Sequence, residues 1–416
     1  MRTTWSPQLS VLALTLSIQG LPIASQILVG LIVGPTTLGE IRWLESVFVL
    51  VLLATSCGMP SLVFRQSAVF ALYNESLSFA IIALTLTTLV SCVFLAATAL
   101  LTLIGFAPSI PTQQAYLFII LGTLIPANAI RILIAHTQGR EATHHVCLQV
   151  LGFAVVAILT LGSAALVFGT GGWVVARFTF ELTLALILWL LIRRLAPTTF
   201  SPAIPTFRML GKMGAQGLAP NYAFLVRAFA DNLPILILPK LLNARDEIGL
   251  YSLATLMMFA PLLLISTAMQ AQLPRLIQAS DDRDEFAKSF AVASRKVYKL
   301  TAAGLCIMTA IAAALHLNVL GSQYSNAAAL VLLLAAGLPA RAFLVVSGGA
   351  AVARGWFATS SMIAIFEIIF LGCAVLFGLI TDVVHMAVCV TLATWLAALP
   401  AYLLLLLAKK STRMQT

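Results

Sequence analysis

The chain has 416 residues, 61% of them hydrophobic and only 9% charged, with a formal net charge of +10, and its mean hydropathy is +1.04. That balance excludes a water-soluble domain of this length. Apolar runs of about 20 residues, not alternating segments of about 10, also exclude a β-barrel and predict an all-α integral membrane protein.

Twelve spans are predicted in chain order, at roughly 8–33, 43–64, 77–104, 115–137, 146–168, 172–192, 217–241, 249–272, 300–320, 327–350, 356–380 and 384–407. The first run lacks a small-residue cleavage site and is expected to stay as a helix. The proline-rich connection "RRLAPTTFSPAIPTFRMLGKMGAQG" divides the spans six and six. The expected organisation is an N-terminal six-helix lobe (1–195), a cytoplasmic linker (196–216), a C-terminal six-helix lobe (217–408) and a cytoplasmic tail (409–416). A second polar connection, 274–299, carries an acidic run from Asp281 to Glu285 followed by bases, and reads as a short amphipathic interfacial helix, with a solvated loop as the default.

The basic residues orient the spans. With the N-terminus cytoplasmic, seventeen Lys and Arg fall on the cytoplasmic side. Only Arg42, Lys240 and Arg245 fall on the other. By the positive-inside rule both termini are cytoplasmic, and the net charge reports topology, with no nucleic-acid partner. The six cysteines stand one at a time in or beside apolar runs, and the adjacent His144 and His145 fall in a short loop. Neither a metal site, a disulfide framework nor a cofactor is expected. No G-x-x-x-x-G-K-[ST] sequence occurs, and no catalytic constellation stands outside the spans, so neither an ATP motor nor an enzyme is expected.

A shift of 210 residues brings the two halves into register. Gly39 falls on Gly249, Arg65 on Arg275, Arg131 on Arg341, and Gly139 on Gly349. An even number of spans per half gives both halves the same orientation, so the expected relation is a pseudo-two-fold axis along the membrane normal. Transporters whose two bundles rock about a central site have that geometry.

Charges inside the spans are the candidate site. Each costs about 2.5 to 3.5 kcal/mol at a helix centre, so such residues face a bundle interior or an aqueous cavity. Arg227 and Asp231 share one face of the seventh span, and Arg177 and Glu181 repeat the spacing in the sixth. In both pairs the base comes first, the less favourable order for an isolated helix. Arg131 and Arg341 have no acid on their own spans, and Glu367 is a candidate partner for one of them. Four Arg then stand against three acids, with Glu45 and Asp382 assigned to the outer ends. A cavity for cationic drugs would show the opposite surplus. Arginine keeps its charge in apolar surroundings and presents a planar fork of donors that suits phosphate oxygens, so the expected cargo is anionic. Arg227, Arg131, Arg341 and Arg177 are the candidate substrate-binding residues. Asp231, Glu367 and Glu181 are the candidate ion-coupling residues, because a buried carboxylate can take up and release a proton as its access alternates.

The opening "SQILVGLIVGPTTLGEIRWLESVFVLVLLATSCGMPSLVFRQ" resembles Wzx-type polysaccharide flippases, with Gly34-Pro35 and Leu38-Gly39 before the second span and the run Gly58 to Arg65 after it. "ADNLPILILPKLLNARDEIGLYSLA" is similar to the Asp-bearing seventh span of that family and its Gly-x-Tyr turn, here Gly249 and Tyr251. "LGSQYSNAAALVLLLA" resembles the approach to its tenth span. One departure is Gly39-Glu40-Ile41, where Gly-x-Tyr is usual. The resemblance runs over nearly the whole chain and implies the multidrug/oligosaccharidyl-lipid/polysaccharide exporter superfamily. It further implies twelve helices in two lobes, a bacterial inner-membrane location, and an undecaprenyl-diphosphate-linked oligosaccharide moved from the cytoplasmic to the periplasmic leaflet for surface polysaccharide assembly. Candidate partners are that polyprenyl-diphosphate oligosaccharide, the lipid bilayer, H+ or Na+, and a polysaccharide polymerase or glycosyltransferases. The rival readings are a multidrug/cation antiporter of the same superfamily and a membrane scaffold for a glycan-assembly complex.

Overall fold

The computed structural model describes the chain apart from residues 1–12, 15, 16, 18, 19, 70–72, 104–110, 141–145, 196–205, 243, 244, 280, 281, 320, 355, 356 and 412–416. His144, His145 and linker residues 196–205 lie outside the described residues. The remainder is helical: α1 Leu21–Val33, α2 Pro35–Ser56, α3 Met59–Val69, α4 Tyr73–Leu103, α5 Pro111–Gly122, α6 Leu124–Gly139, α7 Cys147–Leu195, α8 Phe207–Leu241, α9 Arg245–Gln278, α10 Arg283–His316, α11 Ala327–Ala335, α12 Leu338–Ala353, α13 Phe357–Leu376 and α14 Val383–Ser411. A short 3-10 turn, Ser322–Tyr324, precedes α11.

Among the described residues, seven stretches are long and apolar enough to cross a membrane as they stand. The bent pairs α2–α3 (52°) and α11–α12 (41°) are two further spans, and the shorter apolar helices Pro22–Val33 and Ser361–Leu376 mark the first and eleventh. Within α7 the backbone leaves helical geometry at Gly169 (φ 60°, ψ −146°), so this one helix supplies the fifth and sixth spans. Twelve spans result. Only glycine enters that region of φ without a Cβ penalty, which is why the break falls there. The bend between α2 and α3 likewise uses Gly58 (φ 69°), beside Cys57 at φ 48°.

Large apolar side chains point outward, including Val93 at 70%, Phe168 at 73% and Leu376 at 85% exposure. In water such a surface would drive aggregation; against lipid tails it costs nothing. Hydroxyls on these helices turn back onto their own backbone: Thr98 donates to the Phe94 carbonyl, Thr160 to Val156 and Thr179 to Val175. Each polar group is thereby satisfied without water.

The chain forms two compact units, residues 1–25 with 43–225, and residues 26–42 with 226–416. In the first, α6 packs on α3, α4 and α7. Its core joins Met59, Val63, Ala80 and Ile82 to Ile132 and Ala135, and Leu210 and Met213 of α8 pack into the same cluster. Residues 207–216, expected as linker, are thus the first turns of a helix. In the second unit, α9 packs on α10, α11 and α12, and α14 packs on α11, α12 and α13. The segment expected as a short interfacial helix is instead the beginning of α10. Asp282 caps it, its Oδ1 accepting from the backbone N–H groups of Asp284 and Glu285, and the helix runs unbroken into the ninth span.

Inside the second unit the turn before α2 lies against the start of α9. A Cβ at Gly249 would collide with the Pro35 carbonyl, and one at Gly39 would press on the Gly249 backbone. Thr36 donates to Asp246, a residue 210 positions on. Gly39 and Gly249 are separated by the same 210, so each of these residues touches its own counterpart in the sequence repeat.

Candidate functional site

The larger charge cluster lies wholly in the second unit. Arg227 and Asp231 stand one turn apart on α8. The Arg227 guanidinium grips the carboxylate through two bonds, Nε to Oδ2 at 3.2 Å and Nη2 to Oδ1 at 2.7 Å. Its remaining Nη1 donates to Glu367 Oε1 of α13 at 3.0 Å. From α12, Arg341 Nη1 donates to the same Asp231 Oδ1 that Arg227 holds. Glu367 therefore pairs with Arg227, not with Arg131 or Arg341 as expected. Asp231 is the hinge of the set, with one carboxylate facing two guanidinium groups. The unfavourable order of the intrahelical pair is tolerated because α12 and α13 supply its other partners.

Asp231 and Arg341 line a small pocket with Tyr251, Phe259, Thr391 and Thr394. The broken span α11–α12 forms part of its wall. Breaking a helix frees carbonyls, and α14 takes them up: Trp395 Nε1 donates to Ala336 O at 3.1 Å and Thr391 Oγ1 to Leu333 O at 2.9 Å. The break places Arg341 in the first turn of α12, at the positive end of that helix. A third base lies close by. Arg42 is 6% exposed, donates to Gln26 Oε1 at 3.2 Å, and sits 5.9 Å from the centre of the pocket-lining Phe259 ring.

The first unit holds a second cluster. Arg177 and Glu181, one turn apart on α7, pair at 3.0 Å, and Arg177 also donates to Glu45 of α2 at 3.3 Å. The guanidinium lies 5.8 Å from the Phe48 ring and 6.0 Å from that of Trp173. Glu45 is therefore a buried ion-pair partner, where an outer-end position was expected. Arg42, counted with the outer loop, is buried too. The signal was legible: Gly34-Pro35 starts α2, and Pro35 in its first turn carries residues 42 and 45 well into the helix.

Arg131, on α6, joins neither cluster and forms no ion pair among the described residues. One turn earlier on the same helix, Asn128 Nδ2 donates to Thr55 Oγ1 at 3.1 Å and to Ser91 Oγ at 3.3 Å. Arg131 and Arg341, repeat counterparts, each lie on the second piece of a two-piece span. With Glu45 and Arg42 included, the expected surplus of one arginine stands at five Arg against four acids, now divided unequally between the units.

Residues 32–329 match the family described as polysaccharide biosynthesis protein. The chain belongs to that family. No curated protein matches the sequence. Among solved structures, the family member is similar to an inward-facing multidrug resistance MATE family transporter of the MOP superfamily, with a TM-score of 0.74 and 13% identity over 98% of this chain and 99% of that one. It is also similar to the lipid II flippase MurJ in an inward closed conformation, with a TM-score of 0.70 and 14% identity over 95% of this chain and 87% of that one. At such identities the likeness shows the fold, the twelve-helix, two-lobe fold of these transporters. Family and fold together make the chain a multi-pass helical membrane protein of the polysaccharide biosynthesis family.

Proposed function

We propose that the protein flips an undecaprenyl-diphosphate-linked oligosaccharide from the cytoplasmic to the periplasmic leaflet of a bacterial inner membrane, with both termini cytoplasmic. The observation that carries this reading is the sharing of Asp231 between Arg227 and Arg341 beside a pocket. A carboxylate held by two guanidinium forks is a stand-in that a diphosphate can replace, since its oxygens accept the same paired donors and bring more charge. The Arg227 side chain is 30% exposed and that of Arg341 16%, so neither is sealed away from an incoming anion. Fixed donors lower the barrier that bare hydrocarbon sets against a multiply charged head group. The polyprenyl tail never has to leave the lipid. Arg131 and Arg177 are the further proposed contacts to the head group.

Coupling to H+ or Na+ forms part of the proposal, with Asp231, Glu367 and Glu181 as its carboxylates. A polymerase or glycosyltransferase is the proposed neighbour in the membrane. The deciding experiment is reconstituted flipping of a polyprenyl-diphosphate oligosaccharide by the native protein and by Arg227→Ala, Arg341→Ala and Arg131→Ala at equal insertion. The expected result is at least a tenfold loss in each variant. Normal flipping in all three would remove the anion-reading role. Efflux of a cationic dye without any flipping would transfer the assignment to a cation antiporter.

A further inference from the structure

Helix α10 is longer than the membrane it crosses. Its 34 residues extend roughly 50 Å, against about 30 Å of hydrocarbon. With the ninth span beginning near residue 300, the first half of the helix stands outside the hydrocarbon and residues 295–299 lie at head-group depth. One face is buried from end to end, through Phe286, Ala293, Val297, Thr301, Met308 and Leu315, and α9, α11 and α12 pack against this helix. The opposite face is exposed. Lys288, Val292, Arg295 and Lys299, spaced by four, three and four, form one stripe of it, and Ala303, Cys306 and Ala310 continue the stripe at the same spacing. Lys296 and Ile307 stand on its edge, both exposed. The face that meets lipid tails in the span therefore runs straight on into a row of bases. Asp284 and Glu285 belong to the first turn, which leaves residues 286–299 with four bases and no acid. None of the four forms an ion pair among the described residues. We propose that this face holds an anionic phospholipid of the bilayer, its phosphate bound by Arg295, Lys296 and Lys299 and its acyl chains laid along the stripe below them.

Charge and shape together select that ligand. The Arg295 fork offers two parallel donors to phosphate oxygens, and the two ammonium groups beside it add charge on the same face. Lys288, about 10 Å further from the hydrocarbon, draws the head group in from a distance. Ala303 and Ala310 are small, so acyl chains can lie close to the helix backbone. Tyr298, 42% exposed, stands next to Lys299 at the level where interfacial aromatics gather. A soluble anion would use the bases and leave the stripe below them unused. A zwitterionic lipid brings its own ammonium, which these bases repel. Only a lipid with net negative charge satisfies both parts of the face at once.

The inference does not depend on the cargo proposed above. Two exposed cysteines test it: Cys306 lies beneath the bases, and Cys92 lies on α4, a helix without Lys or Arg. Full-length protein keeping one of the two, with the other cysteines replaced by Ala, is labelled with bimane and reconstituted in zwitterionic vesicles. These contain either brominated phosphatidylglycerol or brominated phosphatidylcholine, whose acyl-chain bromines quench the label on contact. At Cys306, phosphatidylglycerol should quench at a mole fraction about threefold lower than phosphatidylcholine, and at Cys92 the two should match. Combining Arg295→Gln, Lys296→Gln and Lys299→Gln should abolish the preference. Arg193→Gln with Arg194→Gln, which removes charge from α7, should leave it. Glutamine keeps the helix propensity of these positions, and the pair Arg295→Gln with Lys299→Gln replaces the triple variant if that fails to insert. If the cysteine-depleted background fails to insert, retention of spin-labelled phosphatidylglycerol against phosphatidylcholine by the chain with its own cysteines makes the same comparison. Equal quenching by the two lipids at Cys306, an equal preference at Cys92, or a preference that survives loss of the bases would overturn the site. A polyprenyl diphosphate that reverses the quenching at one molecule per protein would assign the face to the cargo and overturn the phospholipid.

Discussion

Two regions of this molecule start from the same local spelling, an arginine one helical turn before an acid, and end in different electrostatic states. At Arg227–Asp231, neighbouring helices add Glu367 and Arg341, and the cluster balances beside a pocket. At Arg177–Glu181 a neighbouring helix adds Glu45 alone, so that one guanidinium, set beside the Phe48 and Trp173 rings, meets two carboxylates. The intrahelical pair is common to both. What each region can do is set by the third and fourth residues, which come from elsewhere in the chain. The Arg227 set is partly exposed, and the Arg177 set is sealed.

The sharpest way to break this comparison is to delete the arginine from each cluster and measure unfolding. Arg177→Ala leaves two buried carboxylates unpaired and should cost about 3 to 5 kcal/mol. Arg227→Ala leaves Asp231 with Arg341 and orphans only Glu367, so its cost should be smaller by roughly half. Equal losses would mean that the balance does not matter. Adding Glu45→Gln to Arg177→Ala should recover part of the first loss, since one of the two orphaned charges is gone.

A steric contrast comes next. Gly249→Ala in the second unit puts a methyl into the Pro35 carbonyl, and Gly217→Ala in the first puts one into that of Cys57. Each should cost about 1 to 3 kcal/mol of stability. If Gly249→Ala instead impairs flipping with stability intact, the Gly39–Gly249 approach is a moving contact. A neutral polar site supplies a smaller effect. Asn128→Ala should cost only about 1 kcal/mol in thermal unfolding, because Thr55 Oγ1 already donates to the Val51 carbonyl at 2.9 Å. A larger loss would show that Asn128, and not the ion pairs, organises the first unit.

The smallest expected effect lies outside both clusters. Asp382 precedes α14, and the His385 backbone N–H, donating at 2.8 Å, holds its carboxyl below the usual range for an aspartate. A lowered folded-state value stabilises above the unfolded value, near pH 3.9, and that contribution fades as pH falls through the lower folded one. The carboxyl is well exposed, so Asp382→Asn should remove only a few tenths of a kcal/mol at neutral pH and flatten the acid limb of the stability curve. Flipping should not change.

Much of this architecture was legible. The twelve runs, the division between the fifth and sixth at 169–171 and the repeat of 210 all follow from hydropathy and spacing. Those signals are local: about 20 apolar residues must become helix to satisfy their backbone in lipid, whatever surrounds them. Glu45 and Arg42 were misplaced because a hydropathy window begins where polar residues end, whereas α2 begins two turns earlier at Gly34-Pro35. The amphipathic start of α10 looked separate for the same reason, since a change in polarity is not a change in backbone.

By itself, then, the sequence determined that the chain is a helical membrane protein, how many spans it has, how its halves correspond, and most of the few residues that carry charge inside them. Tertiary structure alone decided the partners: Glu367 with Arg227, Arg341 with Asp231, and Glu45 with Arg177. An ion pair between helices depends on distances of about 3 Å between residues 110 to 140 positions apart. No local pattern encodes such distances, because they are set by how whole helices pack.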